Sequence, residues 1–114
     1  MAVRVIKPSL LNDILSRGTV ELNNKQTLTL HSHLPLLECH LLQAWLTACK
    51  PRHVLEIGMA YGISSLAICE VLQHIADARL DIVDPHQSTD WQSVGIHNLA
   101  RAGFAGLYLS LIHI

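Results

Sequence analysis

The segment from Val54 to Ser65 constrains the fold of this chain more than any other part of its sequence. A short apolar run leads into Gly58, passes through Met-Ala-Tyr to Gly62, and continues at once into an apolar stretch of helix-forming residues. A strand, a tight turn and a helix in this order begin a βαβ unit. Gly58 and Gly62 can adopt backbone conformations that other residues avoid, and Ala60 keeps the turn small enough for a ligand to lie against its backbone.

The same alternation of strand and helix patterns runs to the end of the sequence. It predicts strands at 53–57, 79–84 and 107–114, with helices at 64–76 and 90–102. This order requires right-handed crossovers and a parallel sheet. Because the first two strands are apolar apart from carboxylates, we expect both of their faces to be covered. The sequence therefore predicts an α/β fold with a Rossmann-like parallel sheet.

Residues 1–50 have a different pattern, which we interpret as an N-terminal helical cap on a Rossmann-like unit at 51–114. The pattern predicts a helix from Pro8 to Ser16 capped by Gly18, a small hairpin at 19–22 and 27–30, and a longer helix from Pro35 to Lys50. The longer helix carries an apolar stripe that we expect to cover an edge or a face of the sheet. The stripe consists of Leu37, Leu41, Leu42, Trp45, Leu46 and Cys49.

Composition limits the classes of function that the chain can have. At 114 residues it has room for one domain, and its net charge of −1 is spread without any long basic or acidic block. We therefore expect neither nucleic acid nor an anionic membrane as a partner. Apolar runs stay below the roughly 20 residues of a membrane helix, and the first residues lack a secretory signal. A cytoplasmic protein with a small-molecule partner is predicted.

The cysteines and histidines do not predict a metal site. Cys39, Cys49 and Cys69 never form Cys-x-x-Cys, and we expect buried thiols rather than a disulfide framework or a zinc knuckle. His31 and His33 form a His-x-His motif, but no neighbouring Cys or carboxylate completes a ligand set. Capping or loop roles are the better interpretation of these imidazoles.

Two strand ends converge on one candidate ligand site. In an open parallel sheet, ligands bind beyond the carboxyl ends of the strands, which is where the turn from Gly58 to Gly62 and Asp84 both fall. Ser64 or Ser65 can cap the following helix by accepting a backbone N–H. An acid about 20 residues after such a turn binds ribose hydroxyls in more than one class of nucleotide site, so Asp84 does not discriminate between them.

The glycine spacing separates two classes of cofactor. A dinucleotide fingerprint requires Gly-x-Gly-x-x-Gly, whereas this turn reads Gly58-x-Ala60-x-Gly62 followed by Ile63. A phosphate-binding interpretation also lacks cations, because the nearest Lys or Arg before the turn is Arg52 and the following helix has neither. A fragment of an NAD-dependent oxidoreductase is therefore the alternative enzyme rather than the leading one.

The turn and the strand before it resemble a known motif. Glu56-x-Gly58-x-Ala60-x-Gly62 resembles motif I of the class I S-adenosylmethionine-dependent methyltransferases, which is usually Glu/Asp-x-Gly-x-Gly-x-Gly. Tyr61 before the last glycine and Ser64 after it resemble the residues at these positions in the branch of the family that methylates oxygen of small molecules.

Two later segments extend this resemblance. Val83-Asp84-Pro85 resembles the second strand end of that branch, and the run from Asn98 to Phe104 resembles its next helix, commonly Asn-x-x-x-Ala-Gly. The resemblance covers roughly residues 50 to 106. It implies a seven-stranded fold, of which this chain has the first two to three strands.

The resemblance implies a role for each residue of the turn. Gly58, Ala60 and Gly62 would line the methionine and ribose parts of the cofactor S-adenosylmethionine. Glu56 would orient the turn and the amino-acid end of the cofactor, and Asp84 would accept hydrogen bonds from the ribose hydroxyls. A cationic sulfonium suits these carboxylates and the backbone dipoles better than it suits a phosphate-binding lysine.

Three further residues complete the candidate cofactor-binding set, namely Ser64, Tyr61 and Trp91. Tyr61 faces either the ligand or the preceding helices, and core or surface packing competes with stacking near the adenine as the role of Trp91. Structural roles also compete at the two acids: Glu56 as an ordinary strand-end carboxylate, and Asp84 before Pro85 as a turn former.

The function implied is methyl transfer from S-adenosylmethionine to oxygen of a small-molecule acceptor. Such an in-line displacement depends on positioning more than on acid–base groups, and no catalytic residue is assigned. We expect an N-terminal fragment of the enzyme, inactive by itself, in which residues 109–114 depart from the family's charged third strand through truncation and non-native sequence. Its unpaired strand edge favours a homo-oligomer. A non-catalytic Rossmann-like interaction module is the alternative outside enzymology.

Overall fold

A computed structural model describes residues 9–111, in which helices and strands follow the predicted order. The elements are α1 (Leu10–Arg17), β1 (Thr19–Glu21), β2 (Thr27–Thr29), α2 (Leu36–Cys49), β3 (His53–Ile57), α3 (Ile63–Leu72), β4 (Arg79–Val83), α4 (Val94–Arg101) and β5 (Tyr108–Leu111). The last strand was predicted to reach Ile114, and its final three positions lie outside the described residues, as does Pro8.

Three parallel strands form the central sheet, in the order β3-β4-β5. His53 pairs with Arg79 at the start of β3, and Leu80 of β4 pairs with Tyr108 of β5. Each pair is joined through a crossover helix, α3 or α4. The α/β fold with a Rossmann-like parallel sheet is therefore confirmed.

One face of this sheet is uncovered in the described part of the chain, contrary to the prediction that both faces are covered. Leu80 and Ile82 are fully buried on one face, whereas Leu55 and Ile57 on the other are 62% and 78% exposed. The reason is topological. The strands follow one another in a single direction, so right-handed crossovers place α3 and α4 on the same face.

Both crossover helices are shorter than predicted. α3 ends at Leu72 because the next residues form tighter turns, in which the amide of Ile75 donates to Leu72 O at 3.0 Å. α4 begins at Val94 because Gln92 and Ser93 have φ values of 51° and 58°, a left-handed conformation that no α-helix accommodates. Residue periodicity carried no sign of these two left-handed positions.

The elements before β3 agree closely with the sequence pattern. Ser9 caps α1 by accepting from the amide of Asn12, and Gly18 ends the helix at φ 68° with its amide donating to Ile14 O. β1 and β2 pair antiparallel with Val20 opposite Leu28, as the predicted hairpin requires. One continuous core contains residues from both the predicted cap and the Rossmann-like unit. The division of the chain into these two parts stays a prediction.

The apolar stripe of α2 does not cover the sheet, so that prediction is wrong. Leu37, Leu41 and Trp45 are 70%, 62% and 68% exposed, and only Leu46 of the stripe is buried. α2 packs mainly against α3 instead of against a strand. Gln43 reinforces this contact by donating to Ala67 O at 3.1 Å.

The three thiols also differ from one another. Cys39 and Cys69 are buried as predicted, whereas Cys49 at the end of α2 is exposed. Burial raises the pKa of Cys69 to about 12, so this thiol stays protonated and unreactive near neutral pH. Between Ser9 and Leu111, no helix combines the length and apolar character needed to cross a bilayer.

We expect the exposed stripe of α2 to cause concentration-dependent self-association, because apolar patches of this kind are normally covered. In sedimentation velocity, the average sedimentation coefficient should rise with protein concentration, and Leu41→Glu or Trp45→Glu should remove most of that rise. His40→Glu puts the same charge on an exposed polar position of the same helix and should leave the rise unchanged. A chain that stays monomeric over the whole concentration range would contradict this expectation.

Candidate functional site

The turn from Gly58 to Gly62 lies at the carboxyl end of β3 and is fastened to the end of β4. The amide of Gly58 donates to Val83 O at 2.7 Å, and the amide of Gly62 donates to Met59 O at 2.7 Å. Gly58, Ala60 and Gly62 have φ values of 76°, 49° and 85°. Ala60 thus keeps a glycine-like conformation, at a cost of roughly 1–2 kcal/mol that the surrounding contacts must offset.

Asp84 fixes this turn from the neighbouring strand end. Its buried carboxylate accepts from the amides of Met59 and Ala60 through Oδ2, at 3.1 and 3.3 Å, and from the amide of His86 through Oδ1 at 3.1 Å. Oδ1 keeps a second lone pair. The predicted contact with a ribose stays a prediction, but Asp84 has a role that the motif did not indicate: it holds the two strand ends together.

Gln87 is a site residue that sequence reasoning missed. It is fully buried, its side-chain amide donates to Ala60 O at 2.8 Å and to Asp84 Oδ2 at 3.1 Å, and its Oε1 accepts from the amide of Ile96 at 3.3 Å. Its bonds therefore connect the turn, the end of β4 and the first turn of α4. A polar residue in a polar segment gave no signal of this burial.

Gly95 is a second missed residue, and here the sequence held a signal. A Cβ added to Gly95 would lie 2.6 Å from Ala60 O, and one added to Gly62 would lie 3.0 Å from the Cα of Gly95. α4 therefore begins against the backbone of the turn. A glycine inside a helical pattern costs about 1 kcal/mol relative to alanine, so its presence indicates a close approach.

Glu56 lies behind the turn, and the residue is only 9% exposed. Ser64 and Ser65 both donate their hydroxyl groups to it. Burial raises the pKa of Glu56 above its ordinary value, the two serine hydroxyls lower it, and the charge of Asp84 raises it. The prediction that a serine caps α3 is wrong, because Gly62 is the N-cap residue and the hydroxyls are engaged by Glu56.

Tyr61 and Trp91 meet His31 in what we call the aromatic cluster. The ring centroids of Tyr61 and Trp91 are 4.9 Å apart, and His31 lies 5.2 Å from the first and 5.6 Å from the second. Tyr61 Oη and His31 Nε2 are hydrogen-bonded at 3.0 Å. Tyr61 therefore faces the segment before α2. Trp91 packs against Tyr61 and His31, and packing was the alternative to stacking near the adenine.

A cleft of about 330 Å³ adjoins the turn. It is lined by Ser32, His33, Leu34, Gly58, Met59, Ala60, Ile63 and Ser64. Of the predicted residues, Gly58, Ala60 and Ser64 therefore reach the cleft, Glu56, Gly62 and Asp84 shape the turn, and Tyr61 and Trp91 belong to the aromatic cluster. A larger cleft of about 570 Å³ near Glu70 and Phe104 includes none of the predicted site residues.

Solved structures share this arrangement of elements. The O-methyltransferase TomG from Streptomyces achromogenes, in complex with SAM, is 23% identical, with a TM-score of 0.66 over 93% of this chain and 43% of its own. An O-methyltransferase from Bacillus cereus in complex with SAH is 19% identical, with a TM-score of 0.68 over 95% of this chain and 44% of its own. The SAH-bound Podospora anserina methyltransferase PaMTH1 is 17% identical, with a TM-score of 0.70 over 92% of this chain and 42% of its own. This chain has the fold of part of an O-methyltransferase. It spans less than half the length of these structures.

Sequence comparison adds nothing to the structural likeness. No protein-family model and no curated protein matches the chain. In this chain, the turn, Asp84 and the cleft lie at the carboxyl ends of β3 and β4, where parallel α/β sheets bind ligands. Within residues 9–111, no group of three or more His, Cys, Asp or Glu side chains is arranged to hold a metal ion.

We expect Gly95→Ala to destabilise the chain by on the order of 2 kcal/mol or more, because the new methyl group would overlap the backbone oxygen of Ala60. Gly106→Ala is the matched control, since its added Cβ meets no atom of the described part of the chain within 4 Å. It should change the free energy of unfolding by no more than about 0.5 kcal/mol. Urea denaturation of the two variants measures the difference, and equal stabilities would refute the close approach.

Glu56 should make stability depend on pH. Its raised pKa means that the folded chain holds the proton more tightly than the unfolded chain, so this contribution is present below 4.5 and is lost as pH rises through the folded pKa. Glu56→Gln keeps an acceptor for the serine hydroxyls but does not titrate. Relative to that variant, the wild type should lose unfolding free energy from pH 4.5 upward. Glu38→Gln, at an exposed position of α2, should follow the wild-type profile; overlapping profiles for Glu56→Gln and wild type would contradict the prediction.

Proposed function

We propose that this chain is the cofactor-binding part of an S-adenosylmethionine-dependent methyltransferase that methylates oxygen of a small molecule. The observation that carries the proposal is the left-handed turn from Gly58 to Gly62, which lies at two strand ends and lines the cleft. The structures that share the fold and are in complex with SAM or SAH support the same cofactor.

The backbone of the turn suits a ligand that lies close against it. A Cβ added to Gly58 meets no atom of residues 9–111 within 4 Å, although Gly58 lines the cleft. Space next to a glycine at a strand end admits a ligand rather than a side chain. The opposite wall of the cleft comes from Ser32 to Leu34, so a bound molecule would contact residues both before α2 and after β3.

The charges favour S-adenosylmethionine over a dinucleotide. The residues that line the cleft include no Lys or Arg, and the carboxylate of Glu56 accepts from Ser64 and Ser65 in the first turn of α3. A pyrophosphate binds where a helix N-terminus is free of negative charge. An acid at this point opposes a pyrophosphate and attracts the cationic groups of S-adenosylmethionine. NAD therefore fits the described residues less well.

The residues of the site then have separate parts in holding the methyl donor. The cofactor supplies an electrophilic methyl group when bound. Asp84 and Gln87 hold the turn in its left-handed conformation, Gly58 and Ala60 present their backbone to the cleft, and the carboxyl group of Glu56 is held behind it by Ser64 and Ser65. Because methyl transfer depends mainly on orientation, fixing the donor is the contribution expected of this part of the fold.

A non-catalytic interaction module is the second candidate function. The observation that favours it is the exposed apolar surface formed by Leu37, Leu41 and Trp45 on α2. Such a surface is typical of contact with another polypeptide. The homo-oligomer, the small-molecule acceptor and the cytoplasmic location expected from the sequence all stay predictions.

Titration of the chain with S-adenosylhomocysteine tests the proposed function. We expect saturable one-to-one binding, with amide NMR shifts concentrated at Gly58, Ala60 and Gly62, and no comparable response to NAD. Gly58→Ala should weaken binding about tenfold or more, because its methyl group enters the cleft.

Gly18→Ala is the matched control for this substitution. Gly18 has φ 68° and lies at the end of α1, away from the cleft, and among the described residues its added Cβ also meets no atom within 4 Å. Both variants should lose similar stability, roughly 1–2 kcal/mol, through the strained backbone. Equal affinities of the two variants for S-adenosylhomocysteine, or saturable binding of NAD alone, would reject the proposal.

A further inference from the structure

His31 joins three segments that are distant in the sequence. It precedes α2, whereas Tyr61 belongs to the turn after β3 and Trp91 to the segment between β4 and α4. Its ring contacts both aromatic rings, nearly perpendicular to that of Tyr61, and Nε2 is hydrogen-bonded to the tyrosine hydroxyl at 3.0 Å. The other end of Tyr61 is also fixed, because its carbonyl oxygen accepts from Asn98 Nδ2 at 2.9 Å.

The residues that directly follow His31 form the outer wall of the cleft. Ser32, His33 and Leu34 all line it, whereas His31 does not. Within the described part of the chain, their amides donate to no backbone carbonyl, and Ser32 has a left-handed φ of 51°. The wall therefore has no ladder or helix of its own to hold it in place, and side chains must do so.

We propose that His31 is a positioning residue, which fastens the wall formed by Ser32, His33 and Leu34 to the turn through the aromatic cluster. Cofactor affinity then depends on a residue that does not line the cleft. The effect on cofactor affinity rests on the proposed function, whereas the contact between the wall and the turn is a property of the ligand-free chain. An aromatic pair and a hydrogen bond each favour the associated state about fivefold, enough to hold a short loop.

The position of His31 makes this role separable from folding. Its side chain is exposed, whereas Tyr61 is buried, so truncating His31 opens no cavity in the core. We expect the His31→Ala chain to stay folded, with its unfolding midpoint lowered by on the order of 5–10 °C through the loss of these contacts. His40→Ala removes another exposed histidine of the first fifty residues and serves as the matched control.

Binding kinetics test the consequence for the cofactor. NMR line shapes in a titration with S-adenosylhomocysteine should show dissociation about tenfold faster for His31→Ala and unchanged for His40→Ala. A merely destabilised chain would lower the fraction that binds without changing the dissociation rate of the rest.

A double-variant comparison tests the hydrogen bond within the cluster. His31→Phe and Tyr61→Phe each remove it while keeping an aromatic ring, so each should speed dissociation about threefold. The double variant should add nothing further, because both changes remove the same bond. Additive effects, or wild-type dissociation from His31→Ala, would overturn the inference.

Backbone dynamics of the ligand-free chain separate this inference from the proposed function. The ¹⁵N order parameters of Ser32, His33 and Leu34 should fall in His31→Ala, from values typical of rigid backbone toward those of flexible loops, while α3 keeps its own. A wild type that fails to bind S-adenosylhomocysteine would reject the proposed function, and lower order parameters would still support the fastening. Order parameters that match those of the wild type would overturn it.

Discussion

The buried carboxylate of Asp84 is the contact on which the rest of the site depends. Hydrogen bonds to a charged acceptor contribute roughly 1.5–3 kcal/mol each, and this carboxylate receives amides from Met59, Ala60 and His86 as well as the side chain of Gln87. Those bonds offset both the burial of the charge and the strained φ of Ala60. Beyond the paired residues of β3 and β4, the backbone fastens the turn to β4 through the bond from the amide of Gly58 to Val83 O.

The position of α4 follows from the same contact. Because Asp84 and Gln87 hold the turn, its backbone presents Ala60 O and Gly62 to the first residues of α4, and only a glycine at position 95 allows the approach. The segment from His86 to Ser93 then has to fold back on itself, with the amide of Ser93 donating to Gln87 O at 2.7 Å. Its left-handed residues, Gln92 and Ser93, delay the helix. The late start of α4 and the burial of Gln87 are therefore one feature.

The sequence was sufficient where local chemistry decides structure and insufficient where distant packing does. β3 was predicted to the residue, because its apolar pattern lies between Pro51 and Gly58. The stripe of α2 was read correctly as helical and wrongly as buried, since periodicity reveals a face but not its partner. Glycine and alanine spacing located the turn, whereas no local pattern could show that Ser64 and Ser65 serve Glu56 rather than the helix end.

The first half of the chain therefore belongs to the site as well as to the core. One wall of the cleft comes from the segment before α2 and the other from the turn after β3. The aromatic cluster joins these two walls. Any ligand that touches both walls must bind better when they are together. By linkage, it also stabilises their association by RT ln(1 + [L]/Kd). The Rossmann-like unit without residues 31–34 would keep the turn and Asp84 but would lose one side of the cleft, so affinity for a donor molecule cannot be assigned to the glycine turn alone.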